Sequence, residues 1–427
     1  MRDATNKDKA KEWGNTEAIN DPLTDLLRTG AKALIQQAVE AELQAFLGDY
    51  AKVTDLQGRL TVVRNGYLPE REIVTGVGNV TVKIPKVRDR SGGGVKFNSS
   101  LVPPYVRKAQ RVAAALPWLY LRGISTGDMQ AALSVLLGDE AKGLSPAVVS
   151  RLKAQWAEDY QTWNNRDLSK ERYVYVWADG IYSTLRGEDD RLCLLVIIGV
   201  NEHGEKRLLA LSDGYRESKA SWLSVLQDLQ TRGLEDAPKL ATGDGALGFW
   251  AAVNEAWPQT RSQRCWVHKT ANVLAALPDS IQGKAKAGLK EIWMAETKVQ
   301  AEKAFDSFRR DFEAKYPKAV GVLEKDRESL LAFYDFPAEH WLHIRTTNPI
   351  ESSFATIRHR TTRTKNCVSR NTLRGLVFQL ALTAEKSWRK IQGFKRLPEV
   401  IEGIRFQDGI AVITEAEETE ETQQMAA

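Results

Sequence analysis

From Tyr173 onward the chain reads strand, strand, strand, helix, strand, helix, and few folds accept that order. The continuous apolar run Tyr173-Val174-Tyr175-Val176-Trp177-Ala178 ends in Asp179-Gly180, and Leu192–Val200 and Lys206–Leu211 follow as two further strands. Ser218–Leu229 has helical spacing, Pro238–Thr242 is a short strand running into Gly243-Asp244-Gly245, and Leu247–Trp257 is helical again. Ser262–Cys265 is read as the lead into another helix. Short apolar runs bounded by turn residues are buried strands, and their alternation with helices predicts an α/β core on a mixed sheet. From Ile281 to Trp341 the pattern is helical with no strand alternation, and helix resumes from Pro349.

With 43% hydrophobic and 27% charged residues the chain can bury a core, which excludes a wholly disordered chain, a collagen-like fibre and a disulfide scaffold. Cys193, Cys265 and Cys367 are odd in number and far apart, as in a reducing compartment. The apolar run Leu192–Val200 is far short of the ~20 residues a membrane helix needs, and the first fifteen residues are polar. The expectation is a cytoplasmic, nucleoid-associated protein with no membrane contact.

A net charge of +5 says little about partners, but its distribution says more. Between Gly58 and Gln110 ten basic residues stand against Glu70, Glu72 and Asp89, and between Arg345 and Arg374 seven stand against Glu351 alone. Upstream of the sheet, Pro22–Leu47 has amphipathic helical spacing, Tyr67–Val87 reads as a strand pair turning at Gly76 and Gly78, and Ser91-Gly92-Gly93-Gly94 reads as a linker. Helical patterns over Val106–Leu121, Met129–Leu137 and Ala147–Tyr160 follow, the last opened by the capping pair Ser145-Pro146. Two helices entered by Gly/Ser turns, the second carrying Arg151 and Lys153, suit a helix-turn-helix or two helices of a plain bundle. The expected division is a flexible arm (1–21), a region of helices and strand pair (22–95), a helix-turn-helix region (96–168), an α/β core in two parts (169–278 and 344–405) split by a helical segment (279–343), and an acidic tail (406–427).

Asp179-Gly180 and Asp244-Gly245 are the chemically specific signals, since a glycine beside an acid lets the chain turn and a ligand approach. Clustered carboxylates hold divalent cations in phosphodiester chemistry, because hard cations take oxygen ligands. The third candidate is Glu351, in Thr347-Asn348-Pro349-Ile350-Glu351-Ser352, on a helix that continues through Arg358, Arg360, Arg363 and Lys365. That helix is either a metal-binding acid flanked by phosphate contacts or a solvated basic face with a first-turn glutamate.

Together with Cys265-Trp266-Val267-His268-Lys269, and with Gly143-Leu144-Ser145-Pro146 and Arg64-Asn65-Gly66-Tyr67 upstream, these motifs resemble the mutator-type transposases of bacterial insertion sequences. The likeness runs from about residue 22 to 400. It implies an RNase H-like mixed-sheet core interrupted by an all-helical insertion, preceded by a mostly helical DNA-binding region with a small strand pair. It further implies that Asp179, Asp244 and Glu351 form a DDE triad holding two Mg²⁺ ions, replaceable by Mn²⁺, with His268 as an auxiliary catalytic residue. Double-stranded DNA, as terminal inverted repeats and as target, is the implied partner, contacted by Arg151, Lys153, Arg358, Arg360, Arg363 and Lys365. Pairing two DNA ends requires two recognition surfaces, so a homodimer is expected. A non-catalytic DNA-binding repressor and an RNase H-like nuclease that does not join strands are the alternatives. A zinc site shared by Cys265, His268, His340 and His343 is a further reading, set against a buried cysteine and a satisfied histidine.

Overall fold

The computed structural model describes residues 21–121, 124, 128–137, 146–184, 191–214, 216–348, 350 and 369–412. Backbone contacts divide the chain into two units, Met1–Leu152 and Lys153–Ala427.

The first unit opens with α1 (Pro22–Asp49), where the Asp21 carboxylate accepts the N–H groups of Leu23 and Thr24 and Pro22 occupies the first turn. Its buried Val39 and Leu43 pack on Ile73, Val80 and Val82. Two antiparallel pairs stand where one was expected: β1 (Val62–Tyr67) with β4 (Pro85–Asp89), and β2 (Arg71–Thr75) with β3 (Gly78–Val82). Ser91–Gly94 is a closed turn, because the Asp89 carboxylate accepts the N–H groups of Ser91 at 2.8 Å and Val95 at 3.0 Å. Next come α2 (Gln110–Leu121), α3 (Asp128–Leu137) and α4 (Pro146–Asn164), whose residues Leu116, Met129 and Leu133 form a small core with Val148 and Leu152. Ser145, the expected cap of α4, lies outside the described residues.

The second unit is built on a five-stranded sheet of order β7-β6-β5-β8-β9. Its strands are β5 (Tyr173–Thr184), β6 (Arg191–Asn201), β7 (Lys206–Gly214), β8 (Leu240–Gly243) and β9 (Arg261–Arg264). The first three are antiparallel, and β8 and β9 join parallel to β5. Helices α5 (Lys219–Thr231) and α6 (Leu247–Ala256) cover one face through Trp222, Leu226, Leu229, Phe249 and Val253. The parallel crossovers run through these helices, so β8 lies against the strand that carries Asp179.

Strand β9 stands where helix entry was expected over Ser262–Cys265. Its sequence Arg-Ser-Gln-Arg shows no apolar alternation, and it is buried by polar bonds instead. The Gln263 side chain donates to the Leu330 carbonyl and accepts the Phe333 N–H at 2.8 Å. After α7 (Trp266–Leu274) the chain is helical through α8 (Asp279–Met294), α9 (Lys298–Phe312), α10 (Pro317–Glu324) and α11 (Arg327–Leu330). A short helix, α12 (Trp341–Ile344), returns it to the sheet, and α13 (Arg370–Glu385) follows. The stretch assigned to the tail begins with a small hairpin, Phe406–Gln407 against Ile410–Ala411.

Candidate active site

Parallel pairing of β5 and β8 fixes the two aspartates. Ala178 is opposite Gly243, so Asp179 and Asp244 are the next residues along two neighbouring strands. Asp179 is 5% exposed and accepts its neighbour Gly180 N–H at 2.8 Å, while Asp244 closes a turn by accepting Ala246 N–H at 2.9 Å.

Of the two glycines, Gly180 acts differently from what the sequence suggests. Asp179 does not end its strand, because β5 continues to Thr184, and Gly180 makes no turn. The space its missing side chain leaves is filled by Glu217, whose carboxyl carbon would stand 2.7 Å from a Cβ at Gly180. Gly248, at the start of α6, admits the same residue: a Cβ there would meet Ser218 C at 2.6 Å and overlap the Glu217 carbonyl. Gly245 does need its freedom, with φ +100° and the Arg264 guanidinium packed where a side chain would be.

Glu217 is the functional candidate that sequence reasoning missed. Burial, then the charges of Asp244 and Asp179, push its carboxyl up to about 7, opposed by a hydrogen bond from Tyr182 and the charge of His268. Its Oε2 is buried with no hydrogen-bond partner among the described residues.

His268 lies in the first turn of α7, one turn beyond Cys265. Its hydrogen bond with Cys265, helped by the Cys265, Asp179 and Asp244 charges and opposed by burial, raises it to about 9, so the ring is cationic at neutral pH. Burial pushes the Cys265 thiol up, but hydrogen bonds from His268 and Thr347 outweigh it and leave the thiol below its ordinary value. Thr347 completes the group: its Oγ1 is 3.3 Å from both His268 Nδ1 and Cys265 Sγ, and its N–H donates to Cys265 Sγ at 3.3 Å.

Residues 343–347 are tied to the sheet at His343 and Ile344 and to the start of α7 at Arg345 and Thr347. The Trp177 indole donates to the His343 carbonyl at 3.0 Å and the Thr242 hydroxyl to the Ile344 carbonyl at 2.7 Å. Trp266 N–H donates to the Arg345 carbonyl at 3.1 Å. Trp177 and Thr242 are the residues two positions before Asp179 and Asp244, and side chains two apart on a strand share a face. Ile350 is fully buried and donates its N–H to the Thr347 carbonyl at 2.8 Å.

Asp179, Asp244 and His268 are thus brought within electrostatic reach of one another. Glu351, Arg358, Arg360, Arg363 and Lys365 lie outside the described residues. Arg151 is exposed and Lys153 half-buried on α4. The four zinc ligands do not assemble: among the described residues no group of three or more His, Cys, Asp or Glu is arranged to hold a metal. His340 is engaged on both ring nitrogens, by the Tyr175 hydroxyl and the Gly393 carbonyl. Burial, Lys206 and His340 push His343 down to about 4.

The mixed sheet thus sets Asp179 and Asp244 at adjacent positions on neighbouring strands. The family model "Transposase, Mutator family" matches residues 2–390. The transposase for insertion sequence element IST2 of Acidithiobacillus ferrooxidans is 62% identical over 66% of this chain and 95% of its own. The transposase for IS6120 of Mycolicibacterium smegmatis is 48% identical over 70% and 92%, and that for IS905 of Lactococcus lactis is 30% identical over 81% and 86%. The chain belongs to the mutator family of transposases. Among the described residues no helix is long and apolar enough to cross a membrane.

Proposed function

We propose that the protein binds the terminal inverted repeats of an insertion sequence and catalyses metal-dependent strand cleavage and strand transfer, with Asp179, Asp244 and Glu351 as the catalytic acids. The observation that carries this reading is the parallel pairing that sets Asp179 beside Asp244, together with the bonds from Trp177 and Thr242 on those strands to the His343 and Ile344 carbonyls. Glu351 follows the buried Ile350 directly in the sequence. The strand order, three antiparallel strands then two parallel, supports an RNase H-like core, and α8–α11 between Asp244 and Glu351 support a helical insertion.

Asp179 and Asp244 are oxygen donors of the kind a hard cation takes, set side by side on adjacent strands. Asp179, Asp244 and Glu351 would hold Mg²⁺, or Mn²⁺ in its place, which when bound supplies charge stabilisation to the attacking and departing oxygens. The chain's own contribution is positional. The cationic His268 ring sits beside the two aspartates, where it meets a scissile phosphate and holds a proton for the departing oxygen. Arg151, Lys153, Arg358, Arg360, Arg363 and Lys365 contact the DNA backbone, and two copies of the chain pair the two ends of the element.

The test uses purified protein, a labelled element end and Mg²⁺, with products resolved on a denaturing gel. Wild type is expected to nick and to join strands, and Asp179→Ala, Asp244→Ala or Glu351→Ala to abolish both while end binding persists. Full activity in any of the three refutes the triad, and nicking without joining in wild type assigns a nuclease instead.

A further inference from the structure

Several cations on and beside the strands of the first unit are engaged internally. Arg64 pairs with Glu40 at 2.8 Å, Lys83 with Glu70 at 2.6 Å, and Arg59 with Asp55 at 3.1 Å. Arg71 is spent on the backbone carbonyls of Val102, Pro103, Pro104 and Val106. Strand β4 and the residue after it are different. Lys86 and Arg88 on the strand and Arg90 just beyond its end are all exposed, and none has an ion pair among the described residues. The intervening Pro85 and Val87 turn inward, Val87 against the Val39–Leu43 core. Asp89, the one acid nearby, points its carboxylate back into the amides of Ser91 and Val95 and so does not neutralise the row.

Alternate strand residues lie about 6.8 Å apart on one face, comparable to the through-space separation of neighbouring phosphates along one DNA strand. Pairing of β4 with β1, which carries a register shift between Arg64 and Tyr67, is extended by the Arg90 N–H bond to the Thr61 carbonyl at 2.8 Å and orders the backbone of the row before binding.

We propose that Lys86, Arg88 and Arg90 form a rigid phosphate-tracking edge by which the β1–β4 ribbon binds duplex DNA through its backbone, independently of base sequence. The inference rests on the protein acting on DNA and adds a surface outside the catalytic unit. Like other phosphate contacts it positions without specifying.

The test measures binding of the full chain to a mixed-sequence duplex by fluorescence anisotropy in EDTA, over a range of salt. Without a divalent cation cleavage cannot intervene, so failure here is separate from failure of the catalytic triad. The triple variant Lys86→Ser, Arg88→Ser, Arg90→Ser is expected to lower the slope of log K against log salt by about 2.7, at about 0.9 for each phosphate no longer neutralised. The charge-conserving variant Lys86→Arg, Arg88→Lys, Arg90→Lys is expected to keep the wild-type slope. An unchanged slope in the serine variant, or an equal fall in the charge-conserving one, overturns the proposal.

Discussion

Glu217 is the residue whose protonation the site controls most directly. Its carboxyl is raised to about 7 by burial and by two neighbouring aspartates. The native state therefore binds the proton more tightly than the unfolded chain, in which a glutamate titrates near about 4.3. The stabilisation is fully present below that unfolded value and is lost as pH rises through about 7. Wild type is expected to melt at lower temperature at pH 8 than at pH 5, and Glu217→Gln, which keeps the shape without the charge, to flatten that dependence. Thermal melts across pH check this, and an unaltered pH profile in the variant removes Glu217 from the electrostatics of the site. Nothing in Arg216-Glu217-Ser218 marks this acid as functional. Its position depends on Gly180 and Gly248, far away in sequence, leaving room for it.

At the scale of elements, the attachment of residues 343–347 and the anchoring of the helical segment both predict measurable consequences. Thr347→Val removes the hydroxyl that meets Cys265 and His268 while conserving volume at a fully buried position. Leaving buried partners unsatisfied costs about 1–3 kcal/mol. The variant is expected to lose nicking rate with DNA affinity unchanged, and Thr347→Ser to recover it. Loss of affinity with the rate intact would make Thr347 a general packing residue. Separately, Asp326 receives both Arg264, at 3.0 Å, and Lys269, whose ammonium also donates to the Val322 carbonyl at 2.7 Å. Arg264 and Lys269 side chains are 8% and 2% exposed. Asp326→Ala strands two buried cations and is expected to cost about 3–5 kcal/mol, read by denaturant unfolding. Substitution of the exposed pair Lys219 and Glu255 is expected to cost under about 1 kcal/mol.

Across the whole molecule, the order of strands and helices from Tyr173 onward follows from side-chain patterning, as do Asp179, Asp244, the Cys265/His268 pair and the family resemblance. Apolar periodicity is a short-range property of the chain, and it identified β5–β8 with the helices α5 and α6. It failed at β9, where burial is achieved by Gln263 and Arg264 through hydrogen bonds and an ion pair, and at Ser91–Gly94, where one carboxylate closes what composition alone presents as a flexible joint. Only the tertiary structure decided that Glu217 lies within electrostatic reach of the two aspartates, that Thr347 links Cys265 to His268, and that His343 and Ile344 are held by the residues two positions before each aspartate. The physical reason is range: hydrogen bonds and desolvation act over a few ångströms of space between residues separated by up to 166 positions, and no local pattern encodes such a pairing.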